Sequence, residues 1–322
     1  MSEGRGARLE VPDVAPGRSC PTSYRYSPRV FDRPPEIEAQ TVYVVGGLYG
    51  NVPALDAVEA LLAAEPDAKV VFNGDFHWFD VDAGDFDAVN QRVLRHVALR
   101  GNVETEIAGE DRGAGCGCAY PMDVSDAEVA RSNEILGRLR ETARTQPQWR
   151  TRLEQLPMHL TAAVAGTPVG IVHGDASSLA GWGFAHDQLE RPSHRRWIES
   201  MFREARVRVF ASTHTCLPAL RGFEVEGVAC AVVNNGAAGM PNFQGTRHGL
   251  VTRISARPLA SAALVHGMAV AGLHVEVVRL DYDHAAWLAR FLAQWPAGSP
   301  AHASYHSRIA NGPRFAPGRL AA

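Results

Sequence analysis

Val42-Tyr43-Val44-Val45-Gly46-Gly47-Leu48-Tyr49-Gly50-Asn51-Val52-Pro53-Ala54-Leu55 is the stretch whose reading decides the fold. An apolar run ends in a glycine-rich turn, and a helical pattern opens with Pro53 in its first turn. Strand, tight turn and helix start in that order put loop atoms at the carboxyl edge of a sheet. Open α/β proteins assemble their sites at that edge.

The same pattern recurs downstream. A buried strand over residues 70–73 ends at Gly74-Asp75-Phe76-His77-Trp78-Phe79-Asp80, and one over 97–99 runs into Arg100-Gly101-Asn102-Val103-Glu104. Residues 158–164 and 169–172 read as a hairpin about Gly166-Thr167-Pro168, and its second strand ends at His173-Gly174-Asp175. A strand over 207–211 ends at Thr213-His214-Thr215-Cys216, and strands over 223–225, 229–233, 250–254 and 275–280 follow. Helices are expected over 53–64, 86–95, 187–204 (interrupted near Pro192) and 284–295, where Trp287, Phe291 and Trp295 form an amphipathic stripe that faces either the core or a subunit contact. The order is βαβαβ, a helical insert, then mostly β, which reads as one α/β domain with two sheets face to face and helices outside.

The divisions follow from composition. Residues 1–40, rich in Pro, Gly and Arg, form an N-terminal extension, mobile to about Gly17 and laid down through Tyr24, Tyr26 and Phe31. Residues 41–282 make the main domain, with a helical insert at about 105–157. Within the insert, 105–123 reads as a loop, and the Ser125-x-x-Glu128 capping box starts a helix reaching about Thr145. Residues 283–322 supply a C-terminal helix and a Pro/Gly-rich tail.

With 46% hydrophobic and 21% charged residues, the chain of 322 has a globular composition and ample length for a core. A net charge of -3 argues against a nucleic-acid binder working through phosphate contacts. Lys69 is the only lysine and opens an apolar strand, which excludes a P-loop lysine. Five cysteines with no leader-like start predict free thiols and a cytoplasmic protein. No apolar stretch is long enough to span a bilayer, so no membrane partner is expected.

Four strand ends therefore finish in ligand-type residues: Asp75, Asn102, His173, and His214 with Cys216 behind it. A carboxylate, an amide oxygen and two imidazoles suit a divalent or trivalent transition ion such as Mn, Fe or Zn. The blocks from Val44 to Asn51, Asn73-Gly74-Asp75, Gly101-Asn102-Val103-Glu104, Val172-His173-Gly174-Asp175 and Thr213-His214-Thr215-Cys216-x-Pro218 together resemble the calcineurin-like metallophosphoesterases over about two-thirds of the chain. The resemblance implies a four-layer α-β-β-α sandwich of two mixed sheets, carrying two metals that bind a phosphate and activate a water.

Carried over position by position, the resemblance makes Asp75, Asn102, His173 and His214 the metal-holding and catalytic set, with Cys216 beside them as a further ligand. It also makes this a divergent member. The first metal's Asp falls on Gly47, its two histidines on Tyr49 and Cys216, and the leaving-group acid on Val103. One metal site is expected to be intact and the second degenerate. Tyr49 reads either as a ligand or as a filler of the space a histidine left; Cys116, Cys118 and Cys216 either as a softer, thiolate half-site or as plain loop thiols. His77 and Asp80 either reach the vacant position or belong to a pocket wall with Trp78 and Phe79, and Glu104 either orients its loop or replaces the acid. The Asn234–Asn242 loop is a candidate cleft lining, and Arg247 and His248 candidate phosphate contacts. The expected function is hydrolysis of a small phosphomonoester or phosphodiester. The alternatives are an inactive phospho-ligand-binding relative and a metalloenzyme with cysteine-assisted chemistry.

Overall fold

The computed structural model describes residues 15–321. Of the start expected to be mobile to about Gly17, residues 1–14 lie outside them, while Gly17 is held, its amide donating to the Ala114 carbonyl at 2.8 Å. From residue 15 the chain is tied down: Arg18 donates to the carbonyls of Pro121 and Val124 and pairs with Asp126, while Tyr24 and Phe31 are buried.

In chain order the elements begin with β1 (Ile37–Ala39), β2 (Thr41–Val45), α1 (Val52–Ala64), β3 (Lys69–Asn73), α2 (Ala83–Val93) and β4 (Val97–Leu99). The insert follows as α3 (Asn102–Ala108), α4 (Asp126–Arg144) and α5 (Pro147–Glu154). Then come β5 (His159–Val164), β6 (Thr167–Val172), α6 (His186–Leu189), α7 (Arg195–Ala205) and β7 (Val209–Ser212). The chain closes with β8 (Pro218–Val225), β9 (Val228–Asn235), β10 (Gly249–Ser255), β11 (Leu264–Val270), β12 (Leu273–Leu280), α8 (His284–Gln294) and α9 (Pro300–Asn311).

Two six-stranded mixed sheets result, ordered β1-β5-β6-β7-β9-β8 and β11-β12-β10-β2-β3-β4. β2, β3 and β4 run parallel in one sheet, out to its β4 edge, and β6, β7 and β9 run parallel in the other, so the loops after β2, β3, β4, β6 and β7 gather at one rim. Val42, Val44, Val71 and Leu99 of one sheet pack against Ile171, Val209, Ala211 and Val233 of the other in a dry middle layer. Helices α1, α2, α4 and α8 cover the outer face of the second sheet, with Trp287, Phe291 and Trp295 among the buried residues, and α7 covers the outer face of the first. These are the four layers α-β-β-α.

Local differences from expectation have physical reasons. Glu104 accepts from the backbone of Gly101 and starts a helix at Asn102, so residues 105–108, expected as loop, are helical. The stretch after Pro296, expected as tail, carries α9, because Ser299 caps the amide of His302 and Pro300 occupies the first turn. β1 lies inside the stretch expected as extension and pairs parallel with β5. β11, with exposed polar and apolar positions mixed, lacks the alternation that would have announced it and takes the sheet edge through β12.

Candidate metal centre

Asp75, Asn102, His173 and His214 meet at that rim. Asp75 follows β3 with a left-handed backbone (φ 50°), which turns its carboxylate back over the strand ends. Gly101 is required opposite it: a Cβ there would lie 2.2 Å from Asp75 Oδ1. Asn102 is the first residue of α3, His173 follows β6 and His214 follows β7. All are buried.

His173 Nε2 sits at the centre, 3.3 Å from Asp75 Oδ2, 3.2 Å from Asn102 Oδ1 and 3.2 Å from His214 Nδ1. The far side of each group is held. His173 Nδ1 is 2.8 Å from the Asn73 carbonyl, His214 Nε2 is 3.1 Å from the Cys118 carbonyl, and Asn102 Nδ2 donates to the Cys116 carbonyl at 2.9 Å. Those bonds assign both outer imidazole nitrogens as donors and turn Nε2 of His173, Nδ1 of His214 and the amide oxygen inward as acceptors. Asp75, His173 and His214 offer ligand atoms within 4.8 Å of one another, and among the described residues no other such group of His, Cys, Asp or Glu side chains is gathered.

This donor set fits a cation. Four acceptors crowd one point, and a proton on His173 Nε2 can serve only one of its three neighbours at a time, whereas an ion serves all four. The electrostatics express the same demand for positive charge. Burial lowers the His173 pKa, but the Asp75 carboxylate overrides it and holds it above the usual value. Burial raises that of Asp75, and the charge of His173 overrides it in the other direction. Burial, then the charge of His173, brings His214 down to about 3, keeping it a neutral, ligand-competent imidazole.

The neighbouring half is closed. Tyr49 Oη lies 2.8 Å from Cys216 Sγ, and a Cβ on Gly47 would meet the Tyr49 ring at 2.9 Å. The ring thus occupies the space a side chain at 47 would need. Burial raises the pKa of Tyr49 and of Cys216, so the pair is a neutral hydrogen bond.

The Cys116 and Cys118 carbonyls orient Asn102 and His214, and the Cys118 thiol, whose pKa burial raises, lies 3.6 Å from Asn102 Nδ2 and lines the cavity. Glu104 is fully buried and accepts from the amides of Asp75 (2.7 Å), Gly101 (2.8 Å) and His77 (3.2 Å), locking two site loops together. His77 pairs with Asp80 at 2.6 Å and stacks on Phe86, away from the cluster. In the Asn234–Asn242 loop, Asn235 donates to the carbonyls of Gly46, in the loop after β2, and of Leu250, Asn242 accepts from the amide of Ala237, and neither Arg247 nor His248 lines the cavity at the site.

That cavity, of about 450 Å³, has Asp75, Asn102 and His214 in its floor and Tyr49 and Cys216 to one side. Trp78, Tyr120, Trp182 and Tyr305 form aromatic walls, and Arg308 supplies a guanidinium. Trp182 lies edge-on to His214 with ring centres 5.4 Å apart. Sequence reasoning missed Trp182, Tyr305 and Arg308. The Ser299-Pro300 cap was the one available signal for the helix that carries the last two.

The paired six-stranded sheets with helices outside give the chain a metallophosphoesterase-like fold, as its likeness to solved structures shows. No family model matches the chain, and no curated protein matches its sequence. Solved structures do. A hypothetical protein from Pyrococcus horikoshii superposes with a TM-score of 0.58 at 16% identity, covering 85% of this chain and 99% of that one. A metallophosphoesterase from Sphaerobacter thermophilus superposes with a TM-score of 0.53 at 17% identity, covering 85% of this chain and 100% of that one. Among the described residues no helix is long and apolar enough to cross a membrane.

Proposed function

We propose that the chain is a divergent metal-dependent phosphoesterase acting on a small phosphomonoester or phosphodiester, with one divalent or trivalent transition ion (Mn, Fe or Zn) held by Asp75, Asn102, His173 and His214. The observation that supports it most is the meeting of four acceptor atoms at His173 Nε2, each turned inward by a hydrogen bond on its far side. Bound there, the ion would offset phosphoryl charge and acidify a water.

The protein's own groups do the rest. Asp75 contributes the negative charge, the Asn73 and Cys118 carbonyls fix the imidazole tautomers, and the aromatic walls narrow solvent access. Tyr49 and Cys216, both neutral, offer hydrogen bonds rather than charge. That closed half supports a second reading, a protein that keeps the fold to bind a phosphorylated ligand without turnover. The gathering of Asp75, His173 and His214 with no cysteine among them speaks against a thiolate-built site.

The test is elemental analysis of the purified protein with a panel of phosphomonoesters and phosphodiesters. One equivalent of metal is expected, with turnover of at least one ester that disappears in Asp75→Ala. A chain that takes up no ion after loading with Mn, Fe or Zn defeats the proposal. Full metal content with no turnover across the panel selects the second reading.

A further inference from the structure

Among the residues lining the cavity over the cluster, Arg308 is the one cation, in a wall otherwise made of aromatic, small and acidic side chains. It projects from α9, and its guanidinium is already aimed. Nη2 donates to the Cys216 carbonyl at 2.6 Å and Nε to the Pro241 carbonyl at 3.3 Å. Cys216 belongs to the same loop as His214, so one loop fixes both the imidazole at the cluster and the position of the guanidinium.

The remaining terminal nitrogen, Nη1, has no protein acceptor, and no carboxylate lies within ion-pair distance of Arg308 among the described residues. The three buried arginines are neutralised: Arg140 by Glu106 and Asp111, Arg221 by Glu190, Arg253 by Glu65 and Glu276. Arg308, half-buried like Arg100 and Arg150, meets carbonyls alone, and of these three it is the one that lines the cavity over the cluster. Two acids, Asp123 and Glu128, also line the cavity, but neither forms an ion pair with Arg308, and Glu128 is engaged by Ser125. The charge of Arg308 falls on Tyr49 and Cys216, lowering the pKa of each against the burial that raises it.

We propose that Arg308 is the substrate's anion anchor: its free Nη1–H and its charge hold phosphoryl oxygens turned away from the Asp75/His173/His214 cluster. It thereby supplies, from the C-terminal helix, positive charge beside the half of the site that Tyr49 and Cys216 close. This rests on the metal-dependent reading above. A charged guanidinium with a free Nη1 suits a phosphoryl oxygen, and two carbonyl anchors leave little rotamer freedom to lose on binding. The ligand class it selects carries a terminal, doubly charged phosphoryl group, and a phosphodiester, with one charge fewer, gains less.

The experiment is calorimetric titration of inorganic phosphate into the metal-loaded full chain, for wild type, Arg308→Gln and Arg308→Lys, with metal content and melting temperature measured on each. Losing one charge-assisted contact predicts roughly 10- to 100-fold weaker phosphate binding in Arg308→Gln, at unchanged metal content and with a salt dependence shallower than that of wild type. Arg308→Lys, which keeps the charge and loses the guanidinium, should fall between the two. Phosphate affinity in Arg308→Gln equal to wild type overturns the inference and leaves the metal reading standing. Loss of metal together with phosphate in Arg308→Gln also overturns it, because Arg308 would then act only by bracing the His214 loop. A wild-type chain that takes up no metal removes the reading beneath it, a result that cannot be mistaken for the other two.

Discussion

On one side of the cavity, four side chains from four strand ends bring acceptor atoms to a single point, each oriented by a carbonyl or amide behind it. On the other, Gly47, Tyr49 and Cys216 close on one another, with an aromatic ring where a side chain at 47 would stand and a neutral hydrogen bond at 2.8 Å. Both halves use left-handed non-glycine residues, Asp75 on one side and Tyr49 and Cys216 on the other, so the backbone strain of a functional rim is present in each. The difference lies in charge. One half is an arrangement of acceptors that demands a cation, and the other is filled and electrically satisfied.

The sharpest way to break that contrast is to remove one member from each half. Asp75→Ala takes away the cluster's carboxylate, and a quarter share of the roughly 10–16 kcal/mol typical of a four-ligand site predicts a loss of metal affinity on the order of several hundred-fold. Cys216→Ser keeps a hydrogen-bonding partner for Tyr49 and should leave metal stoichiometry unchanged. Competition titration against a chelating dye measures both. Equal losses in the two variants would show that the closed half also holds the ion.

Glu104 sharpens the comparison from behind, since its three amide contacts all serve the Asp75 side. Glu104→Ala orphans three buried N–H groups and should lower stability by about 3 kcal/mol or more, read as a drop in denaturation midpoint. Metal affinity should fall with it. In a metal-free comparison the environment of Tyr49, followed by its ring signals in NMR, should stay as it is in the wild type.

Gly47→Asp tests the filled half. With φ at 64° and the Tyr49 ring 2.9 Å from where its Cβ would stand, this substitution should cost about 2 kcal/mol in thermal or chemical unfolding. The steric part should vanish in a Tyr49→Ala background, giving a coupling of about 1 kcal/mol in a double-mutant cycle. Additive effects would mean that the ring does not occupy that space.

These contrasts also mark where sequence reading reaches its limit. Buried runs ending in Gly-Asp, Gly-Asn, His-Gly and His-Thr-Cys were legible because a strand's period and its terminal turn are local properties, and they carried both the sandwich and the four converging side chains. Tyr49 left two readings open, since whether a phenol ligates or fills space depends on what faces it across 167 positions of chain. Cys116 and Cys118 were marked for their thiols, but the bonds that orient Asn102 and His214 run through their carbonyl oxygens, which every residue has and no side-chain reading can single out. Arg308 and Tyr305 were hidden for another reason: α9 is a short helix in a Pro/Gly-rich region, and its place beside the cavity comes from packing, which no periodicity encodes.

Acid should empty the ion site, because imidazole binds metal only when neutral, and that loss must be separated from acid loosening of the fold. His159 offers the separation. It opens β5, remote from the cavity lining, and packs its ring against Tyr26 at 4.8 Å and Phe31 at 5.3 Å, where the N-terminal arm lies down. Burial, then the charge of Arg33, pulls its pKa down to about 4, with Glu36 opposing. A base depressed in the folded state binds fewer protons there than when unfolded, so its effect is absent above the unfolded value near 6.5. Stability is lost as pH falls from there and levels off below about 4. The ring is partly exposed, and with solvent screening the loss should be on the order of 1 kcal/mol. Denaturant unfolding of metal-free wild type and His159→Phe across that range should show a difference that grows as pH falls and then stays constant. Any metal released from His159→Phe over the same range then belongs to the Asp75 half alone; a constant difference across the range would mean that His159 titrates normally and that the arm is held by its aromatic packing.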